Sequence, residues 1–253
     1  AVSSSYGPSL DNQAARFPNT YFIGIAGAPT TYHPNVTGFN NDWGAPTYVA
    51  GVIAAHMTKT KVVGYVGGAQ IPPTTQGEAA FAEGVRSVNK NIKVLQTLTG
   101  DFDNVAQAKA ATTAQIDGNA DVIFPFLDAG IAGAYQAGKQ SGKNPAMFKL
   151  TIPDCTSYDN VVGTEVVNNE VAAKVLISAY MHHTIKPGTI LQDLQNPNVE
   201  TLKLCPKYAA NPAIATLTKN TIAAINSGKT KLPPDAVNPR PSFGYSNGLP
   251  SAG

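Results

Sequence analysis

Short apolar runs that alternate with longer stretches of helical period dominate the middle of the chain. KVVGYVGG (61–68), NIKVLQTLTG (91–100) and ADVIFPFLD (120–128) each end in glycine or polar residues at the carboxyl side, the pattern of buried parallel strands rather than of half-exposed ones. Between them, residues 78–89 carry Phe81, Val85 and Val88 on one stripe. Residues 104–116 form a second amphipathic segment, with Asp103-Asn104 as its N-cap. Strand, helix, strand, helix, strand predicts a doubly wound α/β lobe. Ligands of such lobes bind outside the carboxyl ends of the strands, which singles out Gly67, Gly68, Gly100, Phe126, Leu127 and Asp128.

The flanks extend the same rhythm. Residues 1–5 read as the end of a strand, followed by a turn at Tyr6-Gly7-Pro8, a short helix over 11–16 and a buried strand over 21–26. Residues 30–41 are polar and turn-rich, a loop or edge strand that carries the sequon Asn35-Val36-Thr37. A helix over 45–58, with Gly51 inside, leads into the central lobe. Beyond Asp128 the pattern predicts a helix over 129–142, a buried strand MFKLTIPDC that ends at Asp154, a strand over 161–168 and a helix over 169–183. It weakens after Lys186, apart from a helix over 211–227 that Gly228 ends. The domain expectation is a partial first lobe (1–60), a second lobe (61–160), a return to the first lobe with closing helices (161–232) and an extended tail (233–253).

Charged residues are only 13% of the chain, about half the usual share, and polar uncharged side chains take their place. That balance suits the cell exterior, and the net charge of +2 argues against a nucleic-acid partner. Cys155 and Cys205 read as a disulfide, with two buried thiols as the alternative. No apolar run is long enough to span a bilayer. The chain shows no signal-peptide pattern, as a mature secreted, extracellular or periplasmic protein would not.

Catalytic patterns are missing: there is no G-x-S-x-G, no Walker A loop and no H-E-x-x-H. His56 stands alone, and the His182-His183 pair sits at a helix end, where the dipole accounts for it. The expectation is a noncatalytic protein without cofactor or metal. Phe126 and Tyr6 could stack on a planar ligand while Asp128 and Asp154 accept its hydrogen bonds. Core packing for Phe126 and capping for the aspartates remain the alternatives.

The spaced elements AG-x-x-AA, K-x-x-G-x-VGG, a proline, F-x-x-GV, G-x-F-D, AK and G-x-ADVIF, all within residues 48–124, resemble the basic membrane protein (Bmp) family, relatives of the purine nucleoside receptors that serve ABC transporters. The resemblance implies a type I periplasmic-binding-protein fold of two α/β lobes. It further implies a nucleoside-like ligand trapped by lobe closure and an ABC transporter permease as partner. Carried over by position, Ser5, Tyr6, Asp42, Trp43, Phe126, Asp128 and Asp154 become ligand-binding candidates, with the last three foremost. The chain departs from the family after ADVIF, where PFLDAGIAG replaces a glycine-rich continuation, and at its front, where further β-α-β units would be expected. The second departure suggests self-association through an uncovered first-lobe sheet edge as an alternative use.

Overall fold

A computed structural model describes residues 7–25 and 31–236. The chain divides into two compact units: the first comprises Ala1–Asp42, Val167–Glu200 and Asn238–Gly253, the second Trp43–Val166 and Thr201–Val237. These divisions differ from those expected at 60 and 160. Helix α2 (Gly44–Met57) packs on α3 (Pro72–Val88) and α8 (Pro212–Asn226), and so belongs to the second unit.

The second unit is built on a six-stranded sheet of order β4-β3-β5-β6-β7-β9, formed by β3 (Val62–Gly67), β4 (Lys93–Leu98), β5 (Val122–Phe126), β6 (Ala146–Thr151), β7 (Val161–Val167) and β9 (Glu200–Leu204). The ladders joining β3 to β4 and β5, β5 to β6 and β6 to β7 are parallel. Side chains alternate between the two faces of a strand, and here the faces have different chemistry. Phe124 and Phe126 join Tyr65, Phe81 of α3 and Phe148 in an aromatic stack whose neighbouring centroids are 5.5–6.2 Å apart. Ile123 and Leu127 instead pack with Val66, Met147 and residues of α4 (Val105–Asp117) and α5 (Ile131–Gln140). On the aromatic face, α2 and α3 cross at Gly51 and Gly84, where a Cβ would come within 2.3 Å of the Phe81 and Tyr48 carbonyls respectively. Only glycine permits that approach, which offsets its poor helix propensity.

The disulfide Cys155–Cys205 is present, with Cα atoms 5.7 Å apart. It ties the loop after β6 to the start of α7 (Pro206–Ala209).

The first unit holds a smaller parallel sheet, β1-β2-β8, from β1 (Phe22–Ile25), β2 (Val36–Asn41) and β8 (Gly188–Gln192). Ile25, Phe39 and Ile190 meet Ala172 and Leu176 of α6 (Asn169–Met181) in its core. The expectation of a loop or edge strand for the sequon segment is corrected: β2 is the middle strand. Asn35 is buried, and its amide lies 2.9–3.2 Å from the carbonyls of Ala14, Phe17 and Thr20, which fastens α1 (Gly7–Arg16) to the sheet. Polar residues that satisfy each other internally disguised a central strand as a loop. Strands β8 and β9 lie in the region where the sequence pattern weakened; each has five residues, too few for periodicity to register.

Candidate functional site

Three loops converge at the carboxyl ends of β3, β4 and β5, and the protein braces them against one another. Gly68 N donates to Phe126 O (3.2 Å), Thr99 N to Gly67 O (2.8 Å) and Gly100 N to Gly68 O (3.1 Å). The Phe102 carbonyl accepts from Asp128 N at 3.1 Å and Gly130 N at 3.0 Å, while the Asp103 carboxylate accepts from Ala129 N at 3.0 Å. The Phe102 ring lies flat enough on Gly68 that a Cβ there would be 2.3 Å from it. Phe102 is therefore the post around which the three loops are tied, and the residue is half-buried.

Five of the seven sequence-predicted residues lie among the described ones. Ser5 and Tyr6 lie outside the described residues. Asp42 belongs to the first unit, where its backbone N–H donates to Gln192 O at 2.8 Å and lies 3.2 Å from Glu200 Oε2. Trp43 and Phe126 come together in the second unit, with ring centroids 5.7 Å apart and planes at 73°, an edge-to-face pair. Trp43 is half-buried, whereas Phe126 is only 2% exposed. Trp43 is set by the start of α2: Thr47 Oγ1 lies 2.7 Å from the Trp43 carbonyl and 2.5 Å from the buried Glu165 carboxylate of β7.

Asp128 is exposed in the braced loop. Burial of part of the carboxyl raises its pKa, the negative charge of Asp103 adds to this, and the ammonium of Lys149 on β6 opposes it. Asp154 serves its own turn. Its carboxylate accepts from Thr156 N and Oγ1, both at 2.9 Å, from Ser157 N at 3.1 Å, and from the Ser157 hydroxyl. The Ser157 hydroxyl and the Thr156 backbone N–H lead in holding its pKa well below the usual carboxylate range.

Two further features went unread. Phe102 was visible only as the residue between two capping aspartates, and Lys149 as an unremarked charge in the run MFKLT. Their neighbourhood is opened by Pro125. The β5–β6 ladder consists of Val122 with Ala146 and Ile123 with Met147; it stops short of Pro125, whose missing N–H adds nothing to it. The ladder thus ends before the carboxyl ends of the two strands, the ends near which Asp128 and Lys149 lie. Among the described residues, no group of three His, Cys, Asp or Glu side chains gathers to hold a metal ion, and no helix is long and apolar enough to cross a membrane.

A family model described as "ABC transporter substrate-binding protein PnrA-like" matches residues 1–205. The chain belongs to the Bmp family. A purine-binding protein of Brucella abortus is 32% identical over 144 residues, 56% of this chain and 40% of that protein. The nucleoside-binding protein BmpA of an ABC transporter in Lactococcus lactis is 32% identical over 114 residues, 44% of this chain and 32% of that one. The chain therefore spans two fifths or less of the length of these relatives. A solute-binding protein of an ABC transporter system from Aeropyrum pernix superimposes with a TM-score of 0.78 at 16% identity, covering 90% of this chain and 75% of its own. A Bacillus halodurans activator of the comK gene gives a TM-score of 0.75 at 15% identity, over 92% and 78%. At such identities the likeness is one of fold: this Bmp chain has the α/β architecture of parallel-sheet lobes found in solute-binding proteins. The same fold serves proteins with different roles.

Proposed function

We propose that this chain is a noncatalytic solute-binding protein of the cell exterior or periplasm. Its ligand is a purine-nucleoside-like small molecule, and its partner is an ABC transporter permease to which lobe closure delivers that ligand. The observation that carries the reading is the braced mouth at the carboxyl ends of β3, β4 and β5. There half-buried Phe102 is joined through its carbonyl to the Asp128 backbone N–H, and Trp43 is held against Phe126, two residues before Asp128. A ring to stack on and a few polar groups on a rigid scaffold are what a planar polar solute requires. The Bmp membership and the purine- and nucleoside-binding names of the relatives support the choice of ligand. In this reading Phe126 backs the wall from the core, Asp128 accepts from the ligand, and Asp154 shapes the rim. Calorimetric titration of the full chain with inosine, guanosine, adenosine and uridine tests it. Saturable binding of a purine nucleoside is expected, and no binding of any of the four would refute it.

One observation favours self-assembly as a second use. On α6 of the first unit, Ile177, Tyr180 and Met181 are 56%, 46% and 68% exposed, and an apolar face of this kind invites a partner. Sedimentation of the purified chain over a range of concentrations would show a dimer under this second reading and a single monomeric species without it.

A further inference from the structure

Lys149 is the only charged residue in β6. It is half-buried and is paired in register with Thr164 of β7, beside an irregularity of the ladder between Met147 and Lys149; such irregularities recur next to binding sites. Among the described residues its side chain makes no hydrogen bond or ion pair. Other lysines of the same unit are used differently: Lys139 Nζ donates to Ser157 O at 3.0 Å and Lys143 Nζ to Ile116 O at 3.0 Å, each fastening a loop. A lysine held partly out of water without a partner loses hydration and rotamer freedom with no return in the ligand-free protein.

Two other groups share this condition. The Asp128 carboxylate has no hydrogen-bond or ion-pair partner among the described residues, yet feels the Lys149 charge. The Tyr135 hydroxyl of α5, in a residue only 5% exposed, also lacks a hydrogen-bond partner there. Burial, and after it the negative charge of Asp154, disfavours its ionisation. A cation and a carboxylate near the carboxyl ends of neighbouring strands, and a buried hydroxyl on the helix that joins those strands, are thus all unspent. Thr151 ends β6 with φ at 65°, a left-handed conformation that is strained for a β-branched residue.

We propose that Lys149 sets ligand specificity: together with Asp128 it offers a donor beside an acceptor, and so selects an uncharged ligand that presents an acceptor beside a donor, as the amide or amidine edge of a nucleobase does. This rests on the solute-binding reading above. Asp101, Asp103 and Asp128 are all exposed in the braced loops, and the negative charge of Asp103 bears on Asp128 together with the single ammonium of Lys149. The carboxylates therefore outnumber it and repel a phosphorylated form of the same ligand.

Calorimetric titration of the full chain and of Lys149→Met with inosine and with inosine 5′-monophosphate tests the assignment. The unaltered chain should bind the nucleoside at least about tenfold more tightly than the monophosphate. Lys149→Met should weaken nucleoside binding by about tenfold or more, as loss of a charge-assisted hydrogen bond does, and leave the ligand-free melting temperature within about 2 °C of the original, as a surface-like change does. A purely structural lysine would move the melting temperature and not the affinity. Should Lys149→Met fail to fold, Asp128→Asn carries the test, with weaker nucleoside binding and a reduced preference over the monophosphate expected. Nucleoside binding by Lys149→Met within about twofold of the unaltered chain would overturn this inference while the solute-binding reading stands. Failure of the unaltered chain to bind any nucleoside would overturn both.

Discussion

The two units solve the same folding problem with unequal means. In the second, a six-stranded sheet is covered by an aromatic layer under α2 and α3 and by an aliphatic layer under α4 and α5. Among the described residues of the first, a three-stranded sheet packs on a cluster around Phe39 and Leu176, and α6 leaves Ile177, Tyr180 and Met181 exposed. Apolar burial scales with the surface a layer covers, so the second unit can hold loops in fixed positions at its strand ends. That is where the candidate site lies, and the difference teaches that rigidity was placed where geometry matters.

The largest expected effect contrasts the units directly. Phe39 and Phe124 are both fully buried, and truncation of either to alanine should cost about 3–5 kcal/mol. Hydrogen exchange should then show that Phe39→Ala opens β1, β2 and β8 while the second sheet stays protected, and that Phe124→Ala opens the six-stranded sheet. If Phe39→Ala deprotected both units equally, they would be one cooperative body and the comparison would fail.

Next in size is the disulfide. Its 50-residue separation corresponds to roughly 4 kcal/mol of unfolded-state entropy in the chain-closure model. Replacement of both cysteines by serine should lower the denaturant midpoint of the second unit alone.

Smaller effects come from two aspartates that pull in opposite directions with pH. Asp128 has a raised pKa in the folded protein, so the folded state binds a proton more readily than the unfolded one. Stability should therefore fall as pH rises from the unfolded value of about 3.9 through the raised folded value. Asp128→Asn should flatten that slope and make the protein slightly more stable at neutral pH, even as it weakens ligand binding. The folded pKa of Asp154 is depressed, so its contribution is present above about pH 3.9 and is lost as pH falls through the folded value. Melting temperatures of Asp128→Asn and Asp154→Asn across acidic pH should diverge in this sense; parallel curves would contradict the assignment.

The smallest effect is at the end of β6. Relief of the left-handed Thr151 by Thr151→Gly should stabilise the second unit by about 1 kcal/mol, measurable as a higher melting temperature in the absence of ligand.

The same inequality explains what the sequence made legible. Strands β3, β5 and β6 of the second unit are buried on both faces, so they stood out, as did their helices and the carboxyl-end edge. The first unit hides its sheet: VTGFNN does not look like a central strand, because its neighbour Asn35 is satisfied from within by α1. The disulfide followed from the cysteine count and the exterior-type composition. The site was half legible. Alternation along β5 places Phe124 and Phe126 on one face, which makes Phe126 a core ring. Phe102 could not be chosen over the aspartates beside it, since its position depends on contacts with Gly68 and Gly130, distant in sequence. Lys149 carried a signal, a charge within a buried run.

Trp43 is the only tryptophan in the chain and its ring meets Phe126 at 5.7 Å, so its fluorescence reports directly on the wall of the candidate site. The account predicts that titration of the full chain with a purine nucleoside shifts or quenches this emission along a saturable curve, and that Asp128→Asn moves the curve to higher concentration. Emission that stays unchanged up to millimolar nucleoside, on the order of the weakest specific affinities, with no heat of binding in the same range, would contradict it.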